Sequence, residues 1–276
     1  MKKIAFLFLV LGNPNFPKIW NKYFRGHKDK YTIYIHPKYP DKLTWHKKDM
    51  IKNLHETQWG FITRAYLELM AEAYKDPDNY KFITISESCV PIQSFDNFYK
   101  AATTDTRSWI KKMSIMRWEW AARIDTQKTR PRPKFFIKNY ARFCLNREHV
   151  GLLLSKQKEL EFFHKMHVGD EYFLSVLHPL KNVRDFAVIY DDWDYIEKLK
   201  KELRVRIRMI PANRKNEINS LWKEFDAVAK SPKTIVDVQD DLEKIKLCKS
   251  FFYRKFSVDS NIEKYWKDII VSHNDD

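Results

Sequence analysis

The chain has 276 residues, 44% of them apolar and 15% aromatic, which is ample material for a packed core and excludes global disorder. Its 51 basic and 36 acidic residues leave a net charge of +15, a surplus that draws an anionic partner: nucleic acid, anionic lipid or a phosphate-bearing substrate. Three scattered cysteines, Cys89, Cys144 and Cys248, are too few for a disulfide framework or a zinc site and read as thiols of a reducing compartment.

Met1-Lys2-Lys3 and the apolar run 4–11 (IAFLFLVL) have the outline of a signal peptide, but Gly12-Asn13-Pro14 follows without a small-x-small cleavage pattern. The run is too short to span a membrane and reads as a strand buried on both faces. Residues 17–24 follow as a short helix with Pro17 in its first turn, and residues 31–36 (YTIYIH) as a second strand stopped by Pro37. Strand, helix and strand in such close succession predict a β-α-β unit and a parallel sheet. Residues 60–74 form a helix whose apolar members Phe61, Ala65, Leu69 and Ala73 lie on one stripe. Residues 80–85 (YKFITI) give a third strand, and the polar turn Ser86-Glu87-Ser88 directly after it is placed where open α/β sheets carry their active-site loops. The Trp-, Arg- and Pro-rich stretch 107–138 reads as a surface excursion. Residues 141–145 return to strand, 147–154 to helix, 169–177 to a helix opened by Gly169-Asp170-Glu171, and 186–190 to strand; the remainder is mostly helical, broken near Pro211 and Pro232. No internal repeat or linker divides the chain, so 1–276 is read as one domain.

Absences narrow the chemistry. There is no G-x-G-x-x-G or P-loop, no H-E-x-x-H or C-x-x-C, and no G-x-S-x-G. Asp192-Trp193-Asp194 is a D-x-D, able to share a hard cation but equally a charged turn after a strand. Glu171, at the start of its predicted helix, could act as a general base or be an acid favoured by the helix dipole. Arg254 and Lys255 stand among Phe251, Phe252, Tyr253 and Phe256. Two cations there suit a diphosphate, with Arg as a fork and Lys as a point charge, or an edge strand with its charges in water.

These residues in this order resemble the core-2/I-branching β-glycosyltransferase family, its plant-type branch in particular. The resemblance runs through IAFLFLVLG, YTIYIHP, AYLELMAEAYKDPDNYKFITISESCVPIQSFDNFY, ARFCLNREHVGLLL, GDEYFLSVL, the strand ending in Asp192-Trp193, and FFYRKFSVDS. It implies a GT-A-like single catalytic domain with a Rossmann-like, mixed but mostly parallel sheet flanked by helices. It further implies a UDP-sugar donor, a glycan or glycoconjugate acceptor, inversion at the anomeric carbon, and no metal or other cofactor. Carried over by position, Glu171 is the catalytic base, Lys255 and Arg254 hold the diphosphate, His36 contacts the uridine, and Val10, Leu11 and Gly12 line the same pocket. Tyr190, Asp192, Arg117 and Glu119 fall on the acceptor side, to which Ser86 and Glu87 of the turn after the third strand are also assigned.

The chain departs from the pattern in two places. The family's second basic residue on the diphosphate is missing upstream of the lysine, where either Lys233 substitutes for it or the contact is lost. The charged helical stretch 195–229 replaces a Pro/Gly-rich acceptor loop. With no leader or anchor in sight, a soluble cytoplasmic enzyme of bacterial or viral origin is expected. The donor sugar stays open among GlcNAc, xylose and glucuronic acid. Three other readings stand beside this one: a basic nucleic-acid-binding protein, a silent glycan-binding member of the family, and an enzyme with metal held at Asp192 and Asp194.

Overall fold

The structure is a computed structural model that describes residues 1–115, 135–211, 214–228 and 231–273. Arg117 and Glu119 lie outside the described residues. Strand β1 (Lys3–Val10), helix α1 (Pro17–Phe24) and strand β2 (Tyr31–Pro37) make the predicted β-α-β unit, with Ile4 to Val10 paired in parallel with Tyr31 to Pro37. Helix α2 (Thr63–Tyr74) leads to β3 (Asn79–Ser86), which adds in parallel to the other edge of β1.

The chain continues through β4 (Val90–Pro91), α3 (Phe95–Thr104), β5 (Ser108–Trp109), β6 (Lys112–Met113), β7 (Lys138–Asn139) and β8 (Cys144–Asn146). Next come α4 (Arg147–Ser155), α5 (Gln157–His164), β9 (Val183–Arg184), β10 (Ile189–Asp191), α6 (Asp194–Met209) and α7 (Lys215–Val228). Helix α8 (Leu242–Lys246), strand β11 (Phe252–Arg254) and helix α9 (Ile262–Ser272) close the chain. The main sheet has the order β2-β1-β3-β8-β5-β9, and a smaller one the order β10-β11-β4. The result is a mixed α/β architecture with a mostly parallel sheet flanked by helices, as expected of a GT-A-like, Rossmann-like chain; β8 alone runs antiparallel to both of its neighbours in the main sheet.

The unbroken apolar run of β1 has a direct cause. Side chains alternate along a strand, and both faces of β1 are covered. Ala5 and Leu7 pack on α2 through Tyr66, Leu69, Met70 and Ala73, while Ile4, Phe6, Phe8 and Val10 pack on α1 and α3 through Trp20, Phe24, Phe95 and Phe98. Phe6 and Phe8 are fully buried, each worth roughly 1.5–3 kcal/mol in area removed from water. A third apolar cluster, with Val90, Ile235, Val238, Tyr253, Phe256 and Ile262, seats the small sheet.

Several local expectations are corrected. The helix predicted over 169–177 is two 3-10 turns, Gly169–Glu171 and Phe173–Leu177, held by i to i+3 bonds such as Tyr172 N–H to the Gly169 carbonyl (3.0 Å). Glu171 therefore does not sit on an α-helical N-terminus, and the dipole reading of it falls. Helix α2 starts at Thr63 because Gly60 stands at φ +81°, which no helix accepts. The edge strand considered for Arg254 and Lys255 is β11, and β11 is the middle strand of the small sheet, with Phe252 and Tyr253 fully buried. Trp109, placed by sequence in the surface excursion, belongs to the main sheet and is fully buried.

Candidate active site

The parallel strands β2, β1 and β3 all end at one edge, where Leu9 faces both His36 and Ser86 in register. The loops leaving that edge are tied together. The Lys38 and Tyr39 amides donate to the carbonyls of Val10 and Leu11 (both 2.8 Å), and the Asn15 amide donates to that of Glu87 (2.8 Å). Above them opens a cleft of about 340 Å³, a size ordinary for a small-molecule site. Val10, Leu11, Lys38, Trp59, Ser86, Glu87, Arg142, Val168, Asp170, Glu171, Trp193, Arg254 and Lys255 are among its walls. A larger groove of about 720 Å³ runs along β2 past Arg25, Lys28, Lys48 and Lys52 but contains none of the predicted site residues. Carboxylates and cations line both, and the smaller cleft is the better candidate because it lies at the C-terminal ends of the parallel strands β1 and β3, where open α/β sheets bind their ligands.

Glu171 is placed by close packing. A Cβ on Gly169 would come 2.1 Å from the Phe163 carbonyl oxygen, so only glycine lets the Gly169-Asp170-Glu171 turn lie against α5. The preceding residue, Val168, holds φ at +52°, a left-handed conformation that costs a β-branched side chain about 1–3 kcal/mol. Its amide donates to the Gly60 carbonyl (2.6 Å), which fixes the turn to the Trp59–Gly60 wall. The Glu171 carboxylate is half-buried, with Lys138 Nζ 3.6 Å from its Oε2.

The cations come from the small sheet and from the start of β8. Arg254 is in register with Asp191 across β10 and β11, and its Nη1 donates to Asp191 Oδ1 at 3.0 Å with both side chains largely buried. Lys255 follows directly and forms no ion pair with the described residues; its carbonyl accepts the Ile235 amide (2.8 Å). Arg142, only 8% exposed, donates from Nη1 to the Tyr66 phenol oxygen (2.7 Å) and the Ala141 carbonyl (3.0 Å). Burial raises the Tyr66 phenol far above its ordinary range, so it stays a neutral partner.

Of the residues predicted from sequence, Glu171, Lys255, Arg254, Val10, Leu11, Ser86 and Glu87 meet in this cleft. Gly12 is buried beside its mouth and does not line it. His36 is fully buried, its Nε2 accepts the His55 amide (2.9 Å), and burial holds its pKa down to about 4, so it is neutral and away from the cleft surface. Lys233 is clasped by both carboxylate oxygens of Asp241 (2.7 and 2.8 Å). Tyr190 donates its hydroxyl to Asp194 (2.8 Å), and Asp192 is nearly fully buried; Lys244 Nζ lies between Asp192 and Asp194 at 2.8 and 2.9 Å. The D-x-D carboxylates are thus bridged by an ammonium, and among the described residues no cluster of three or more histidine, cysteine or acidic residues could hold a metal ion.

Sequence reasoning passed over Arg142, Asp170, Lys38, Lys138, Trp59 and Trp193. A signal existed for Arg142, the lone charge in the apolar stretch 141–145, although it was read only as part of a strand. None existed for Lys38 or Lys138, which are two of many basic residues.

The family profile described as Core-2/I-Branching enzyme matches residues 4–208. A curated relative, "Glycosyltransferase BC10" of Oryza sativa subsp. japonica, is 24% identical over 181 residues, 59% of this chain and 43% of the relative, so the chain spans under half of that protein. Among solved structures, a Bacillus anthracis protein described as a glucose-1-phosphate thymidylyltransferase covers 66% of this chain and 87% of its own at 9% identity, with a TM-score of 0.34, too low to carry weight. Among the described residues no helix is long and apolar enough to cross a membrane.

Proposed function

We propose, from the premise that the chain belongs to the Core-2/I-Branching enzyme family and is a glycosyltransferase of that type, that it transfers a sugar from a UDP-sugar to a hydroxyl of a glycan acceptor with inversion and without a metal. One observation carries the reading. Glu171 and the pair Arg254 and Lys255, far apart in sequence, line a single cleft at the C-terminal ends of β1 and β3, where open α/β sheets bind their ligands.

Glu171 takes the proton of the acceptor hydroxyl as that oxygen attacks the anomeric carbon from the side opposite the diphosphate. The bond between the anomeric carbon and the phosphate oxygen breaks, and its electron pair leaves with UDP. Lys255, with Arg254 held by Asp191, meets the charge that grows on the leaving group. Cations fixed in advance can take the role that a divalent ion plays elsewhere, and Lys244 already fills the space between Asp192 and Asp194. Trp59, 68% exposed at the rim, offers an aromatic face to a sugar ring. Residues 1–276 act as one catalytic domain on this reading.

A thermal-shift panel of UDP-sugars, repeated with EDTA, tests it. Bound ligand raises the apparent stability by mass action, so one UDP-sugar should raise Tm over UDP alone, and transfer should survive chelation. Activity lost with EDTA and restored by Mn²⁺ would contradict the metal-free mechanism.

A further inference from the structure

Arg142 stands out among the groups that the mechanism above does not use. Its guanidinium is more than nine-tenths buried and belongs to the cleft wall. Both hydrogen bonds from Nη1 go to neutral oxygens, those of Tyr66 and Ala141. Its Nε is buried and has no partner, and no carboxylate among the described residues forms an ion pair with it. Asp191 and Asp170 favour its charge only through space, without a hydrogen bond to it, so the guanidinium keeps hydrogen-bonding capacity that the protein does not use.

Of the other cations on the cleft walls, Arg254 is paired with Asp191 at 3.0 Å, which leaves Lys38 and Lys255 without an ion pair among the described residues. They face a diphosphate that carries a charge on each phosphate and gains another as the sugar bond breaks. Arg142 and Arg254 also share a neighbourhood: burial raises the buried Cys89 thiol, and these two guanidiniums are the charges that oppose it.

We infer that Arg142 joins Lys255 in binding the donor diphosphate, through the part of its guanidinium that lines the cleft, while the Tyr66 hydroxyl holds it in place. The inference rests on the UDP-sugar reading above and gives to Arg142 the place for which Lys233 was one candidate and a lost contact the other. It also makes Arg254 chiefly an oriented donor, with its charge balanced by Asp191.

The test compares wild type, Arg142→Gln and Arg142→Lys by calorimetry against UDP and against uridine, which lacks the phosphates. Arg142→Gln should weaken UDP about 10- to 100-fold, the range of a charge-assisted hydrogen bond, and leave uridine binding unchanged. The Lys variant should recover part of the UDP affinity, and the salt dependence of UDP binding should become shallower in the Gln variant. Equal UDP affinities for wild type and Arg142→Gln would overturn the assignment, and so would a parallel fall for UDP and uridine, which marks a structural role. Should Arg142→Gln fail to fold, Arg142→Lys decides by the same ratio of UDP to uridine affinity. A wild type that binds no UDP would reject the donor reading itself, and this inference with it.

Discussion

Replacing Gly169 by alanine would put a methyl carbon 2.1 Å from the carbonyl oxygen of Phe163 and 2.9 Å from Thr63 Oγ1. Neither neighbour is the loose end of a flexible side chain. The Phe163 carbonyl belongs to α5, and Thr63 is 2% exposed at the first turn of α2. Relief must come from moving the Gly169–Glu171 turn toward the cleft. Overpacking of this kind costs about 1–3 kcal/mol. For a chain of this size the cost lowers Tm by roughly 2–12 °C. A displacement near 1 Å of a group that must meet the reacting atoms costs about a hundredfold in rate. Differential scanning fluorimetry and steady-state transfer measured on the same preparation should show a lowered Tm and a kcat reduced far more than KM for the donor, because Lys255, directly after β11, does not move with the turn. A variant with wild-type Tm and wild-type kcat would refute the packing argument, and with it the claim that Gly169 is what sets Glu171 in place.

Two further outcomes are expected. Asp191→Ala leaves the largely buried Arg254 without its partner and should destabilise the fold by about 3–5 kcal/mol in urea unfolding, whereas the double variant Asp191→Leu with Arg254→Met should regain most of that loss; a single variant as stable as wild type would contradict the pairing. His36 has its pKa lowered by burial from 6.5 to about 4, so between those values the unfolded chain binds a proton that the folded chain does not. Stability should therefore be full above pH 6.5 and fall, by up to ~3 kcal/mol, as pH drops toward 4. His36→Gln should flatten that slope in urea midpoints taken across the window, and an unchanged slope would show that the histidine is not buried in its neutral form.

What the sequence discloses and what it hides follow from the range of the interactions. The β1 run and the β2 run are each long and bounded by Gly12 or Pro37, and Pro17 opens α1; such signals are local, and the elements form where predicted. Strand β8 is three residues long, and its antiparallel direction depends on pairing with β3, which no local pattern encodes. The turn at Gly169 is apolar enough to suggest a helix, but contact with Phe163 and left-handed Val168 make it 3-10. The fate of each charge is set by partners distant in the chain: Asp191 for Arg254, Lys244 for Asp192 and Asp194, Asp241 for Lys233. Glu171 and Lys255 were legible only through the chain-wide resemblance, since each taken alone is compatible with an ordinary surface residue. Arg142 was hidden for the opposite reason, because a lone arginine beside an apolar strand shows neither its burial nor its missing counter-ion.

The most direct measurement on the central claim is sugar transfer by Glu171→Gln, with UDP affinity measured on the same protein. Gln keeps the shape and hydrogen-bonding edge of the side chain but cannot accept the hydroxyl proton. The account predicts a loss of transfer of about a hundredfold to ten-thousandfold, the usual contribution of a general base, with UDP affinity unchanged. Turnover equal to wild type would contradict it.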